Sequence, residues 1–124
     1  LALADGGIEE TNDNSNPDVA DLSKFDFSWK RNDGHVDLYK RAAQRGVDYV
    51  SVSPVFRESW MQVSSLQDAR EYAEWLFTMA QRWSQLGVQL PYLSISNEPS
   101  IGRNNMSGSF IRDVILILGP KLRA

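Results

Sequence analysis

Hydrophobic periodicity divides the chain near residue 33. Before that point no apolar period appears, and Thr11 to Pro17 reads TNDNSNP, a run of turn formers. Residues 1–24 are therefore expected to form a long loop, ordered only if another part of the chain packs on it. From Asp33 the spacing becomes helical. Asp33 is placed as N-cap, Val36, Tyr39 and Ala43 recur at i, i+3 and i+7, and Gly46 supplies a left-handed stop. Asp48 to Ser53 (DYVSVS) alternates as a short strand ending at Pro54, and a loop carrying Trp60 and Met61 follows. Ser65 and Asp68 then read as a capping box, with Asp in place of Glu. Ala69, Tyr72, Ala73, Leu76, Ala80 and Trp83 make one apolar stripe, closed by Gly87. Trp83 lies on that stripe and is assigned to the core, with Trp75 beside it. Pro91 to Asn97 (PYLSISN) is a second alternating strand that runs into Glu98-Pro99. After a polar loop from Ser100 to Gly108, Phe110 to Leu118 is apolar and helical, and Gly119-Pro120 is its expected stop.

The order is loop, helix, strand, helix, strand, helix, which gives an α/β architecture. Two strands joined by a helix of about 20 residues must run parallel. A parallel sheet needs helices on its faces and neighbours on its edges, so two strands are expected to be part of a larger sheet.

Reactive groups in such folds gather past the C-terminal ends of the strands. Ser53 to Met61 and Asn97 to Ser100 both occupy that position, on one side of the sheet. Within the second strand, Leu93 and Ile95 share a face suited to packing under helices. Tyr92, Ser94 and Ser96 share the other, and Glu98 continues it while the chain stays extended. Pro99 favours that geometry in the residue before it. In the first strand Val50 and Val52 oppose Tyr49, Ser51 and Ser53 in the same way. A carboxyl at the end of such a narrow, partly polar wall loses water, which raises its pKa toward general-acid work.

Each candidate has two readings. Glu98 is either a site carboxylate or a solvated loop residue, and Trp60 either stacks on a sugar ring or covers the core. Glu58 is either a second site carboxylate or a loop acid in water, screened by Arg57. Arg103, Asn104 and Asn105 either bind substrate hydroxyls or belong to an ordinary polar loop. His35, at the start of the first helix, reads as structural.

Composition removes several classes of chemistry. The 124 residues include no Cys and one His, which excludes a disulfide framework, a thiol nucleophile and Cys- or His-rich metal sites. A net charge of −3 argues against nucleic acid as a partner. No apolar run is long enough for a membrane span, and no secretory signal pattern is present at the N-terminus. Charge is uneven: residues 1–26 hold seven acids (Asp5, Glu9, Glu10, Asp13, Asp18, Asp21 and Asp26) against Lys24 alone.

Leu93-Ser-Ile-Ser-Asn-Glu-Pro99 resembles the fourth-strand signature of the clan A glycoside hydrolases. Ser53-Pro54 with Trp60-Met61 is similar to the third-strand segment of glycoside hydrolase family 30. DAREYAEWLFTMAQRWSQLGVQ (68–89) and FIRDVILILGPKL (110–122) are similar to that family's neighbouring helices. Phe25-Asp-Phe-Ser-Trp29 and KRAAQRGVD (40–48) resemble its endo-β-1,6-galactanase-like branch. The likeness spans roughly residues 25–122. It departs where Val55-Phe-Arg-Glu-Ser59 stands in place of a Pro-rich, Trp-containing stretch, the wall of the sugar subsite.

The resemblance implies a partial (β/α)8 TIM barrel over residues 25–124, with strands three and four of the barrel present and 1–24 as an acidic, turn-rich segment. It implies retaining hydrolysis of β-glycosidic bonds in a polysaccharide, with no metal and no cofactor. By position Glu98 is the general acid/base, Asn97 bonds the sugar's 2-hydroxyl, and Trp60, Ser53 and Glu58 line the substrate subsite. Retention requires a nucleophilic carboxylate about 5–5.5 Å from the acid/base. In clan A it lies on strand seven, in the remaining half of the barrel, so this chain alone is expected to be inactive. Secretion is expected by the same analogy. A non-catalytic carbohydrate-binding or degenerate barrel is the alternative.

Overall fold

In the computed structural model of the chain, residues 7–28, 32–48 and 51–124 are described, together with the backbone of residues 2 and 3. Trp29, Tyr49 and Val50, which entered the strand and family readings, lie outside the described residues.

The longest element is helix α2, Leu66–Gln85, and the local chemistry that starts it is the capping box. Ser65 Oγ accepts the backbone N–H of Asp68 at 3.1 Å, and Asp68 Oδ2 accepts that of Ser65 at 2.8 Å. Two backbone donors that the first turn leaves over are thereby satisfied. Ala69, Tyr72, Ala73, Trp75, Leu76, Met79 and Trp83 of α2 are all buried. Trp83 Nε1 donates to Asn32 Oδ1 at 3.0 Å, so the buried indole keeps a partner.

Helix α1, Gly34–Ala43, starts after Asp33 and is followed by Gly46 at φ 87°, the left-handed stop expected there. Two details differ from expectation. Asp33 makes no side-chain cap bond; its carboxylate turns to Arg82 of α2, whose Nε donates to Oδ1 at 3.1 Å. Ala43 is exposed, so the buried face of α1 rests on Val36, with Tyr39 set edge-on to Trp83 at 6.0 Å between ring centres.

Helix α3, Gly108–Arg123, is capped by Ser107 and packs against α2 through Phe110, Val114 and Leu118. The Tyr72 and Phe110 rings stand 6.0 Å apart across that interface. Gly119-Pro120 does not end α3, contrary to expectation. The clash that expels a pre-proline residue from helical geometry involves its Cβ, which Gly119 lacks. Pro120 removes the N–H that the Leu116 carbonyl would accept, and Leu116 lies on the exposed face of α3, where water can take its place.

The sheet contains three parallel strands: β1 (Ala2–Leu3), β2 (Ser51–Pro54) and β3 (Tyr92–Leu93), in the order β1-β2-β3. Ala2 faces Ser53 in the first pair and Ser51 faces Tyr92 in the second. The parallel α/β arrangement of 51–93 is as expected. The additional strand comes from the segment read as loop, and a two-residue strand carries no period to detect. Strand β3 is also shorter than PYLSISN, although Ser94 N (2.8 Å to Val52 O) and Asn97 N (2.9 Å to Pro54 O) keep the chain beside β2.

The acidic segment is part of the fold. Ile8 and Glu9 are fully buried, and a 3-10 turn at Leu22–Lys24 precedes Phe25, which packs in the core. No helix among the described residues is long and apolar enough to cross a membrane.

Candidate functional site at the strand ends

Asn104 joins the two loops that leave the C-terminal ends of β2 and β3. Its Nδ2 donates to Val55 O at 2.9 Å and to Asn97 O at 2.7 Å, and its Oδ1 accepts the Arg57 N–H at 3.3 Å. The side chain is buried, so each of these bonds replaces water rather than competing with it. Asn104 therefore acts on the backbone of the rim, which corrects its reading as a substrate-binding residue. Arg103, its neighbour, lies over the Phe56 ring at 5.5 Å, and Asn105 is exposed in a left-handed turn at φ 36°.

Glu58 is neither solvated nor screened by Arg57, as its loop reading supposed. It is 3 % exposed, and its carboxylate accepts three backbone N–H groups: Gly7 on Oε2 at 2.7 Å, Ile8 on Oε1 at 2.8 Å and Glu9 on Oε1 at 3.1 Å. Successive amides aimed at one carboxylate form an anion cradle, here filled from within the chain. Both oxygens are committed to holding the N-terminal segment. Arg57 instead reaches the carbonyls of Glu58 and Met61.

Trp60 is half-buried, and its Nε1 donates to Glu9 O at 2.7 Å. It lines an open cleft of about 390 Å³ with Asn12, Gln62, Gln67, Asp68 and Glu71. An aromatic ring surrounded by amides and carboxylates suits a polyhydroxylated ligand, with an apolar face to stack on and polar groups at the edge. Ser53 Oγ is buried without a hydrogen-bond partner among the described residues.

Glu98 departs most from expectation. Its backbone is left-handed, φ 44°, in place of the extended geometry expected before Pro99. A turn closes on it, with Ile101 N donating to Glu98 O at 3.1 Å, and Met106 N donates to Pro99 O at 2.7 Å. The alternation of β3 therefore ends before Glu98. Asn97 and Glu98 are exposed beyond the strand, and Glu98 is not among the residues lining the Trp60 cleft. It is also absent from a second cavity of about 470 Å³, lined in part by Phe77, Leu90, Leu93 and Lys121. The strand-end loops come together at the Asn104 bridge, whereas the acid and the aromatic cleft do not coincide.

The residues that the sequence reading missed are acidic. Asp13, Glu71 and Glu74 bring carboxylate oxygens within 4.8 Å of one another, with Glu71 and Glu74 buried. Glu9 is adjacent and fully buried. Burial pushes the Glu9 carboxyl up to about 8, against the lowering effect of the Asp13 amide; repulsion from Glu74, Asp13 and Glu71 adds to the rise. Burial likewise raises Glu74 to about 7 and moves Glu71 up. A Glu-x-x-Glu spacing on α2, set against the acidic excess of the first 26 residues, is the signal that points to this group. His35 Nδ1 is buried without a partner among the described residues, at the first turn of α1.

No protein-family model matches the chain, and no curated protein or solved structure matches it at a significant level.

Proposed function

We propose that the chain carries the acid/base side of a retaining β-glycosidase acting on a polysaccharide. The observation that carries this reading is the Asn104 bridge, which ties together the loops following two adjacent parallel strands. In parallel α/β folds that is where catalytic groups stand. Asn97-Glu98 leaves one strand end, and Ser53 with the Trp60 loop leaves the other. Glu98 protonates the departing glycosidic oxygen while a second carboxylate, contributed by the remaining half of the barrel, attacks the anomeric carbon. Glu98 then takes a proton from the water that releases the sugar. Asn97 holds the 2-hydroxyl and Trp60 forms the sugar platform. Glu58 supports the loop carrying Trp60, and no metal or cofactor enters these steps.

The test is Glu98→Gln in the full-length protein. On a polysaccharide the substitution lowers kcat/KM by about 10²–10⁴. On an aryl β-glycoside with an acidic phenol the glycosylation step is nearly unaffected, because that leaving group needs no proton. An unchanged rate on the polysaccharide refutes the assignment.

The position of Glu98 outside the Trp60 cleft favours a second reading, carbohydrate binding without turnover. Binding of a galactan or glucan by the chain, undiminished in Glu98→Ala and lost in Trp60→Ala, selects it.

A further inference from the structure

The charge pattern of the Trp60 cleft narrows the ligand it fits. Trp60, Asp68 and Glu71 line it, and among the described residues no Lys, Arg or His does. Arg70, beside Glu71 in the chain, is paired with Asp18, and neither of the two lines the cleft. An open cavity of about 390 Å³ with two carboxylates and no base presents a negative field to whatever enters. Trp60 Nε1 is tied to Glu9 O at 2.7 Å, so the indole stands as a fixed wall of this cavity.

Both acids keep acceptor capacity for a ligand. Every hydrogen bond to Asp68 falls on Oδ2: the Ser64 N–H at 3.0 Å, the Ser64 hydroxyl at 3.0 Å and the Ser65 N–H at 2.8 Å. Oδ1 of the same half-buried carboxylate has no partner among the described residues. Glu71 is 8 % exposed, and the Asn12 side chain is its hydrogen-bond partner. Burial moves its carboxyl up against that bond, and repulsion from Asp13, Asp18 and Asp68 adds to the rise, as expected of an acid short of counter-charge. The rest of the wall is neutral. Asn12, Gln62 and Gln67 carry amides, which donate and accept as ring hydroxyls require.

We propose that the Trp60 cleft binds an amino sugar, with the C–H face of the sugar ring on the indole and its protonated amine between the Asp68 and Glu71 carboxylates. The inference rests on the reading of this cleft as a carbohydrate platform and narrows it to cationic saccharides. An ammonium donates charge-assisted bonds, roughly twice as strong as neutral ones. A neutral sugar forfeits them and also strips water from two carboxylates without replacing the lost solvation. A basic peptide supplies the charge but neither the hydroxyls that the amides suit nor a ring to stack.

The experiment is titration calorimetry of the chain at about pH 6, where the amines carry protons. The probes are tetramers of β-1,4-linked glucosamine, N-acetylglucosamine and glucose, with tetralysine as the charged peptide. The glucosamine tetramer binds about tenfold tighter than the others, the worth of one hydrogen bond to a charged group. Added salt erodes that preference, because the cleft is open to solvent. Glu71→Gln keeps the shape of the side chain and removes most of the preference, while Glu10→Gln, exposed and outside the cleft, retains it. Equal binding of charged and neutral tetramers overturns the inference and leaves the carbohydrate reading standing. Tetralysine binding as tightly as glucosamine overturns it in favour of a basic peptide. A preference that ignores salt, or one undiminished in Glu71→Gln, overturns it as well. Absence of binding by every saccharide at about 1 mM, near the weak limit of specific recognition, removes the carbohydrate reading and this inference together.

Discussion

Removing the Glu58 carboxylate is the sharpest test of how the N-terminal segment is held. Glu58→Ala leaves the amides of Gly7, Ile8 and Glu9 without their acceptor. Ile8 and Glu9 are fully buried, so water cannot replace the lost bonds there, whereas Gly7 is half-buried and rehydrates in part. An unsatisfied buried donor costs about 1–3 kcal/mol. Two full penalties and a partial one bring the loss to about 3–5 kcal/mol, a large share of the roughly 5–15 kcal/mol stability of a small domain. At about 4 °C per kcal/mol the melting temperature falls by about 12–20 °C. Glu58→Gln preserves shape and the acceptor shared by Ile8 and Glu9, but sets an NH₂ against Gly7, at a cost of about 1–2 kcal/mol. Thermal melts followed by circular dichroism, with tryptophan emission as a second probe, read both variants. The order is Ala below Gln below parent. An Ala variant within about 0.5 kcal/mol of the parent, the range of ordinary surface substitutions, refutes the cradle and returns Glu58 to the list of free site carboxylates.

Two further outcomes follow from the geometry. Asn104→Ala strips partners from Val55 O, Asn97 O and Arg57 N, and costs about 2–3 kcal/mol in urea unfolding; a cost below 1 kcal/mol would deny it the bridging role. The Asp33 carboxyl is held below its ordinary range by the hydrogen bond from Arg82. A depressed folded value means the pair stabilises fully above the unfolded pKa, near 3.8, and loses that contribution as pH falls through the folded value. Melting temperatures of the parent and Asp33→Asn thus converge in strong acid and separate above about pH 4; parallel curves would contradict this.

What the sequence disclosed was local. The capping box of α2 lies within four residues, and its apolar stripe repeats every turn, so both were readable from spacing. Parallel pairing of β2 and β3 followed from the length of the helix between them. The missed features depend on partners distant along the chain. Glu58 finds its donors some fifty residues upstream, in backbone amides that no side-chain pattern encodes. Strand β1 has two residues and exists because β2 offers an open edge. At Glu98 a sound local rule was overruled: proline favours an extended predecessor, but the bonds Ile101 N to Glu98 O and Met106 N to Pro99 O turn the chain sharply. The approach of the two strand-end loops was legible, whereas which carboxylates are buried and which face solvent was not.

The handedness of residue 98 has its own energetic meaning. Left-handed backbone costs a non-glycine residue about 1–3 kcal/mol, and a following proline narrows its freedom further. Glycine takes that conformation freely, so Glu98→Gly should melt higher than the parent while deleting the acid altogether. A gain in melting temperature paired with a loss of turnover would mark a side chain kept in place against the interest of its own main chain.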